Sequence, residues 1–165
     1  MTRLLGIDLG ERRIGLALAD DDGSAAQPHA TIRRGRTIDA DVAALRVVIE
    51  AEGVDALVVG LPLEASGSEG PQARLTHAWA DAVGERSKLP VTLRDERLSS
   101  HLAEMRLGPM KRGRSGGPPS KTQRDAYRAR VDREAAAIIL QDELDTRAGL
   151  RSSTTRSPDA QEISR

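Results

Sequence analysis

The 165-residue chain has no cysteine and no phenylalanine, and only one tryptophan and one tyrosine. Without cysteine there is no disulfide framework, no thiolate metal site and no thiol nucleophile, which excludes disulfide-stapled extracellular scaffolds and fits a cytoplasmic protein. With two aromatic side chains the chain lacks the base-stacking platform of single-strand binders and RNA recognition modules, so any nucleic-acid binding is directed at backbone and shape. Long apolar runs are also missing. The longest stretch free of charged and polar residues, Ala56 to Leu63, has eight members, against about 20 for a membrane-spanning helix. Asp8 interrupts the N-terminus before a signal-type run can form, and no membrane partner is expected. What remains is a lean aliphatic core of 35 Leu, Ile and Val residues, enough for one domain.

Formal net charge is zero, with 25 basic and 25 acidic residues, but it is unevenly laid out. Residues 1–105 sum to −5, residues 106–133 to +7 and residues 134–165 to −2. A concentrated basic block draws polyanions even when the whole molecule is neutral, and its Gly/Pro-rich centre, Gly108 to Ser120, reads as a mobile loop. The alternative is a solvated arginine-rich loop.

Two apolar runs, residues 4–9 and 14–19, flank a Gly-containing turn and predict a hairpin. A third strand is expected over 30–34. Val42, Leu45, Val48 and Ile49 recur at helical spacing over 38–52, and Gly53 ends that helix. Residues 56–61 have no polar face, the pattern of a central strand covered on both sides, which implies a parallel component in the sheet. Pro71 opens a helix expected to end near Gly84, residues 91–94 form a last strand, and a short helix runs through Met105. A final helix is expected over about 121–146. This order predicts an α/β three-layer domain, residues 1–148, with a mixed central sheet flanked by helices and a disordered C-terminal tail, residues 149–165.

Three acids sit at the margins of packed faces. Asp8 lies within an apolar strand, where a charge needs a partner or a metal; the plain alternative is a salt bridge to Arg12 or Arg13. Glu96 follows the last strand, at the end where open α/β sheets place active residues; the alternative for Asp95-Glu96 is a helix start. Asp132 shares a helical stripe with Ala136 and Ile139, the alternative being an i, i+4 pair with Arg128. Carboxylates without cysteine or a histidine cluster favour a hard ion such as Mg²⁺ or Mn²⁺. His101 is expected on a helix surface and Trp79 in the core.

Gly6-Ile7-Asp8-Leu9-Gly10 with Arg13-Ile14-Gly15-Leu16-Ala17, Val59-Gly60-Leu61-Pro62-Leu63 with Gly67, Asp95-Glu96-Arg97-Leu98-Ser99, and Val131-Asp132 with Ala135-Ala136 and Ile139-Leu140-Gln141 resemble, in this order, the YqgF/RuvX family of ribonuclease H-like proteins. The resemblance covers roughly residues 3–145. It implies a nuclease that either resolves Holliday junction DNA or matures the 5′ end of precursor 16S rRNA. By motif, Asp8, Glu96 and Asp132 would be the catalytic, metal-binding acids, with Asp95 the weaker candidate for the second position. Glu64 departs from the family, which more often has a neutral polar residue there.

Hydrolysis by that scheme uses two divalent ions, Mg²⁺ or Mn²⁺, which stabilise the attacking and leaving oxygens. Candidate phosphate contacts are Arg12, Arg13, Gly67, Arg97, Lys111, Arg112, Arg114, Lys121, Arg124 and Arg128. Backbone amides at Gly67 to Gly70, before the helix at Pro71, could add an anion site, or could serve turn geometry alone. Junction resolution would require a homodimer, since two sites must face a symmetric substrate. Two other classes compete: an actin- or sugar-kinase-like ATPase, disfavoured by a length that supplies one domain where two are needed, and a non-catalytic RNA-binding or ribosome-assembly factor.

Overall fold

The computed structural model describes residues 1–154; residues 155–165, the greater part of the expected tail, lie outside the described residues. The chain runs β1 (Arg3–Leu9), β2 (Arg13–Asp20), β3 (Gln27–Arg33), α1 (Ile38–Glu52), β4 (Ala56–Leu61), α2 (Pro71–Ser87), β5 (Val91–Asp95), α3 (Ser99–Leu107) and α4 (Lys121–Thr154). The five strands lie in the order β3-β2-β1-β4-β5. The first three form an antiparallel meander, and β4 and β5 add in parallel to β1. The result is a mixed sheet with helices on both faces.

Strand alternation sorts the core into two layers. Leu5, Ile7, Leu9 and Leu16 face Val42 and Leu45 of α1 and Trp79 and Val83 of α2. Leu4, Ala17 and Val58 face Ala136, Ile139, Leu140 and Leu144 of α4. Two glycines let α4 settle directly on the hairpin. A Cβ at Gly6 would lie 2.7 Å from the Leu140 Cβ, and one at Gly15 would run into the backbone of Asp132. The same absence of side chains that packs α4 closely therefore brings Asp132 to the turn after Asp8.

Several boundaries differ from the sequence expectation. β3 begins at Gln27 rather than 30, beyond an irregularity in the β2 pairing at Leu16/Ala17. α2 passes Gly84 and stops at Lys88, whose left-handed backbone (φ 61°) turns its N–H to the Gly84 carbonyl. α3 packs on α4, through Ala103 against Val131 and Ala135, rather than on the sheet. α4 continues through Gly149 to Thr154, so residues 149–154 are helical where the tail was expected to start. One internal glycine costs a helix only about 1 kcal/mol, and Arg151 ties the extension to Asp21 at 2.8 Å. Among the described residues no helix is long and apolar enough to cross a membrane.

Candidate active site

Asp8 is the penultimate residue of β1 and faces α4, only 8% exposed. Glu96 directly follows β5, and β4 lies between the two strands. Gly60 of β4 makes their meeting possible: a Cβ there would collide with Glu96 Oε2 and with Ile139. Gly60 is thus a strand residue that clears a path for the Glu96 side chain. Glu96 Oε2 is buried with no hydrogen-bond partner, and its carboxyl neighbour Asp8 can satisfy it only through a shared proton. Burial, then the charge of Asp8, pushes Glu96 up to about 9. Asp8 is also raised, to about 6, by burial first; the hydrogen bond to Glu96 opposes the rise and the nearby charge of Asp132 adds to it.

Asp132 is near enough to repel Asp8, yet its carboxylate is engaged by a cation: Arg13 Nε donates to Asp132 Oδ2 at 2.7 Å. Neither plain alternative occurs, since Arg13 pairs with Asp132 and not with Asp8, and Arg128 forms no pair with Asp132. Among the described residues no three His, Cys, Asp or Glu side chains are gathered as a ready metal site. Asp95 turns away and accepts from Arg97 N at 3.0 Å and Nε at 2.8 Å, so Glu96 is the acid of that motif that faces Asp8. His101 is exposed on α3.

The candidate phosphate contacts divide into separate places. Arg12, Arg13 and Lys121 line one groove with the end of β3, and Arg12, Arg13 and Arg128 line its continuation to Asp132. Lys111 lies on another side of α4, in a hollow with Tyr127 and Arg130. Arg112 donates to the Gly116 carbonyl at 3.4 Å within its own loop, and Arg124 to the Pro119 carbonyl at 2.6 Å; Arg114 sits exposed in the same loop. Arg97 is held by Asp95 and by the Ala65 carbonyl. Gly67 has φ +86° in a turn closed by its N–H to the Glu64 carbonyl. The Glu64 carboxylate lies against Gly70 at the start of α2, so the place an anion would take already carries a negative side chain.

Two features escaped the sequence. Arg33, on the third strand, lines the groove beside Arg13. Asp41 is wholly buried and accepts from Arg34 Nε at 3.0 Å, Gly35 N at 2.7 Å and Trp79 Nε1 at 3.0 Å. Arg34 in turn holds the Gly10 carbonyl at 2.9 Å, which anchors the turn between Asp8 and Arg13. The basic run Arg33-Arg34-Gly35-Arg36 was the available signal for Arg33; nothing local marks Asp41.

The family model described as RuvX, Holliday junction resolvase, matches residues 2–146. The chain belongs to the RuvX family. It is 46% identical over 145 residues to a protein of Anaeromyxobacter sp. (strain Fw109-5), covering 88% of this chain and 98% of the relative. A relative from Chloroflexus aurantiacus (strain ATCC 29366 / DSM 635 / J-10-fl) is 39% identical over 154 residues, covering 93% and 92%. Both carry the provisional name pre-16S rRNA nuclease. Among solved structures, T. thermophilus RuvC in complex with Holliday junction substrate aligns with a TM-score of 0.51 at 14% identity, over 90% of this chain and 97% of that one. The shared architecture is the ribonuclease H-like fold. As a RuvX chain this protein is a nuclease, a hydrolase of phosphodiester bonds.

Proposed function

We propose that the chain hydrolyses a phosphodiester bond at the 5′ end of precursor 16S rRNA, with Asp8, Glu96 and Asp132 as its catalytic acids and Mg²⁺ or Mn²⁺ as the cation they hold. The observation that carries this reading is the buried Asp8–Glu96 pair, which has no cationic side chain of its own and leaves Glu96 Oε2 without a donor. A hard divalent ion fits such an all-oxygen donor set, and it would replace the proton the two carboxyls otherwise share. Bound there, one ion or a pair would activate a water and stabilise charge on the leaving oxygen.

The chain's own residues do the rest. Asp8 and Glu96 supply fixed carboxylate oxygens, held by β1 and by the clearance over Gly60. Asp132, now shared with Arg13, is the third donor, and Arg13 is positioned to exchange that carboxylate for a substrate phosphate. Arg12, Lys121 and Arg128 orient the backbone along the groove, while Lys111, Arg112, Arg114 and Arg124 meet a different segment of a folded substrate. Arg97 and Gly67 border the loop beyond β4. The relatives' names favour precursor rRNA. The family's description supports a second reading, resolution of four-way DNA junctions, for which two copies of the chain would face the symmetric substrate.

The test is cleavage of a 5′-extended 16S precursor RNA and a four-way DNA junction with Mg²⁺ or Mn²⁺, comparing the wild type with Asp8→Asn. Asp8→Asn is expected to lower the rate by at least about 10³, on the order of 4 kcal/mol of transition-state stabilisation. The preferred substrate selects between the two readings. If both proteins leave both substrates intact, the binding-factor reading becomes the leading one. Undiminished cleavage by Asp8→Asn overturns the assignment of the acids.

A further inference from the structure

We infer that the groove between the C-terminal end of β3 and the first turns of α4 is a track for one nucleic-acid strand, gripping its phosphodiester backbone as it leaves the acids, with Arg33 as a binding residue. This inference rests on the proposed nuclease reading and adds a path and a residue to it.

The register builds the track. Arg13 pairs with Arg33 and Gly15 with Thr31 across β2 and β3, and residues directly opposed on antiparallel strands share a face. That face is turned to α4, because Thr31 Oγ1 donates to the Ala129 carbonyl at 2.7 Å and Arg13 reaches Asp132. Arg33 therefore carries the same face one step past the last contact with the helix. On α4, Lys121, Asp125 and Ala129 follow at i, i+4 and i+8 and form the opposite wall. The cavity between the walls measures about 640 Å³ and adjoins one of about 390 Å³ that ends at Asp132. Glu11, Arg12 and Arg13 line both, so the path from Asp132 to the sheet edge is continuous.

Charge states what fits there. The side chains of Arg12, Arg33, Lys121 and Arg128 have no hydrogen-bond or ion-pair partner among the described residues, against two unpaired acidic side chains, Glu11 and Asp125. On other faces Arg3, Arg86, Arg94 and Arg147 are each matched to a carboxylate, whereas Arg36, Lys88, Arg114, Arg130 and Arg133 are single exposed or half-buried cations and line no groove with the acids. Four unmatched cations held along one groove repel one another unless a polyanion lies between them. Trp79 is buried and Tyr127 lines a different hollow, with Lys111 and Arg130, so neither aromatic offers its face to a base in this groove. The contact is with backbone phosphate and independent of sequence.

The experiment measures binding by the full-length chain in an Asp8→Asn background, using fluorescence anisotropy across a salt series. The probes are a labelled single-stranded RNA of about 20 nucleotides and a four-way DNA junction. R33Q/K121Q is expected to weaken RNA binding about 10-fold at about 0.1 M salt. It should also reduce the slope of log K against log salt by about 1.4, two contacts at about 0.7 each. R33K/K121R should keep the slope, and R46Q/R86Q, which removes two charges from the α1–α2 layer, should change Kd by less than about twofold. A parallel loss in the junction arm places duplex backbone in the groove; a loss confined to RNA makes it a single-strand track. An unchanged slope in R33Q/K121Q, or an equal loss in R46Q/R86Q, overturns the track. The nuclease reading fails separately, if the wild type with Mg²⁺ or Mn²⁺ binds the probes but cleaves neither substrate. Absence of binding to either probe overturns both.

Discussion

Asp8 and Asp41 are both buried aspartates, and their surroundings are opposite. Asp41 is fully enclosed and receives three donors, from Arg34, Gly35 and Trp79. Asp8 has beside it a second carboxyl, Glu96, and the charge of Asp132. Burying an anion is costly unless it is paired and hydrogen-bonded, so the first arrangement is scaffold and the second is tolerated only with a proton or a cation to share. The scaffold serves the site, since Arg34 joins Asp41 to the turn that follows Asp8.

The largest expected effect comes from breaking the satisfied member. Asp41→Ala leaves Arg34 and the Trp79 indole N–H without their partner and should cost about 3–5 kcal/mol of stability, measured by urea denaturation with intrinsic Trp79 fluorescence. The reverse sign is expected at Asp8. Both Asp8 and Glu96 hold their protons more tightly folded than unfolded. In chelator, the contribution of this pair to stability is thus complete below the ordinary carboxylate range near pH 4 and declines as pH rises towards 9. Asp8→Asn should flatten that decline and stabilise the metal-free protein at neutral pH on the order of 2 kcal/mol. Added Mn²⁺ should raise the Tm of the wild type more than that of the variant. A variant less stable than wild type in chelator would show that the pair is not under electrostatic strain. The smallest effect belongs to an exposed acid with an arginine partner: Asp95→Ala should cost under about 1 kcal/mol, by the same denaturation measurement.

Legibility followed how local the signal was. Asp8 stood out because a charge interrupts an apolar strand, and Gly6 and Gly15 sat in the same motif. α1 was readable to its ends because Thr37, whose side chain accepts from Ala40 N, and Gly53, which is left-handed, cap it within the local sequence. α4 was underestimated because its continuation past Gly149 is accompanied by an ion pair to a residue far away in sequence. Asp95 and Glu96 could not be separated by spacing, because adjacent residues differ only in direction, and the clearance above Gly60 decides which one reaches Asp8. The basic block read as one unit was divided by α4, whose sides send Lys121 and Arg128 to one groove and Lys111 to another.

The sequence by itself determined the α/β class, the order of strands and helices and the family, and it marked three candidate acids, since periodicity, caps and motifs are written in short windows of chain. Only the tertiary structure decided that Glu96 crosses β4 to meet Asp8, that Arg13 holds Asp132, that Asp41 anchors the intervening turn, and that Arg33 borders the groove. Each of these depends on strand register and on how closely α4 approaches the sheet, and both are set by contacts between residues far apart in the chain.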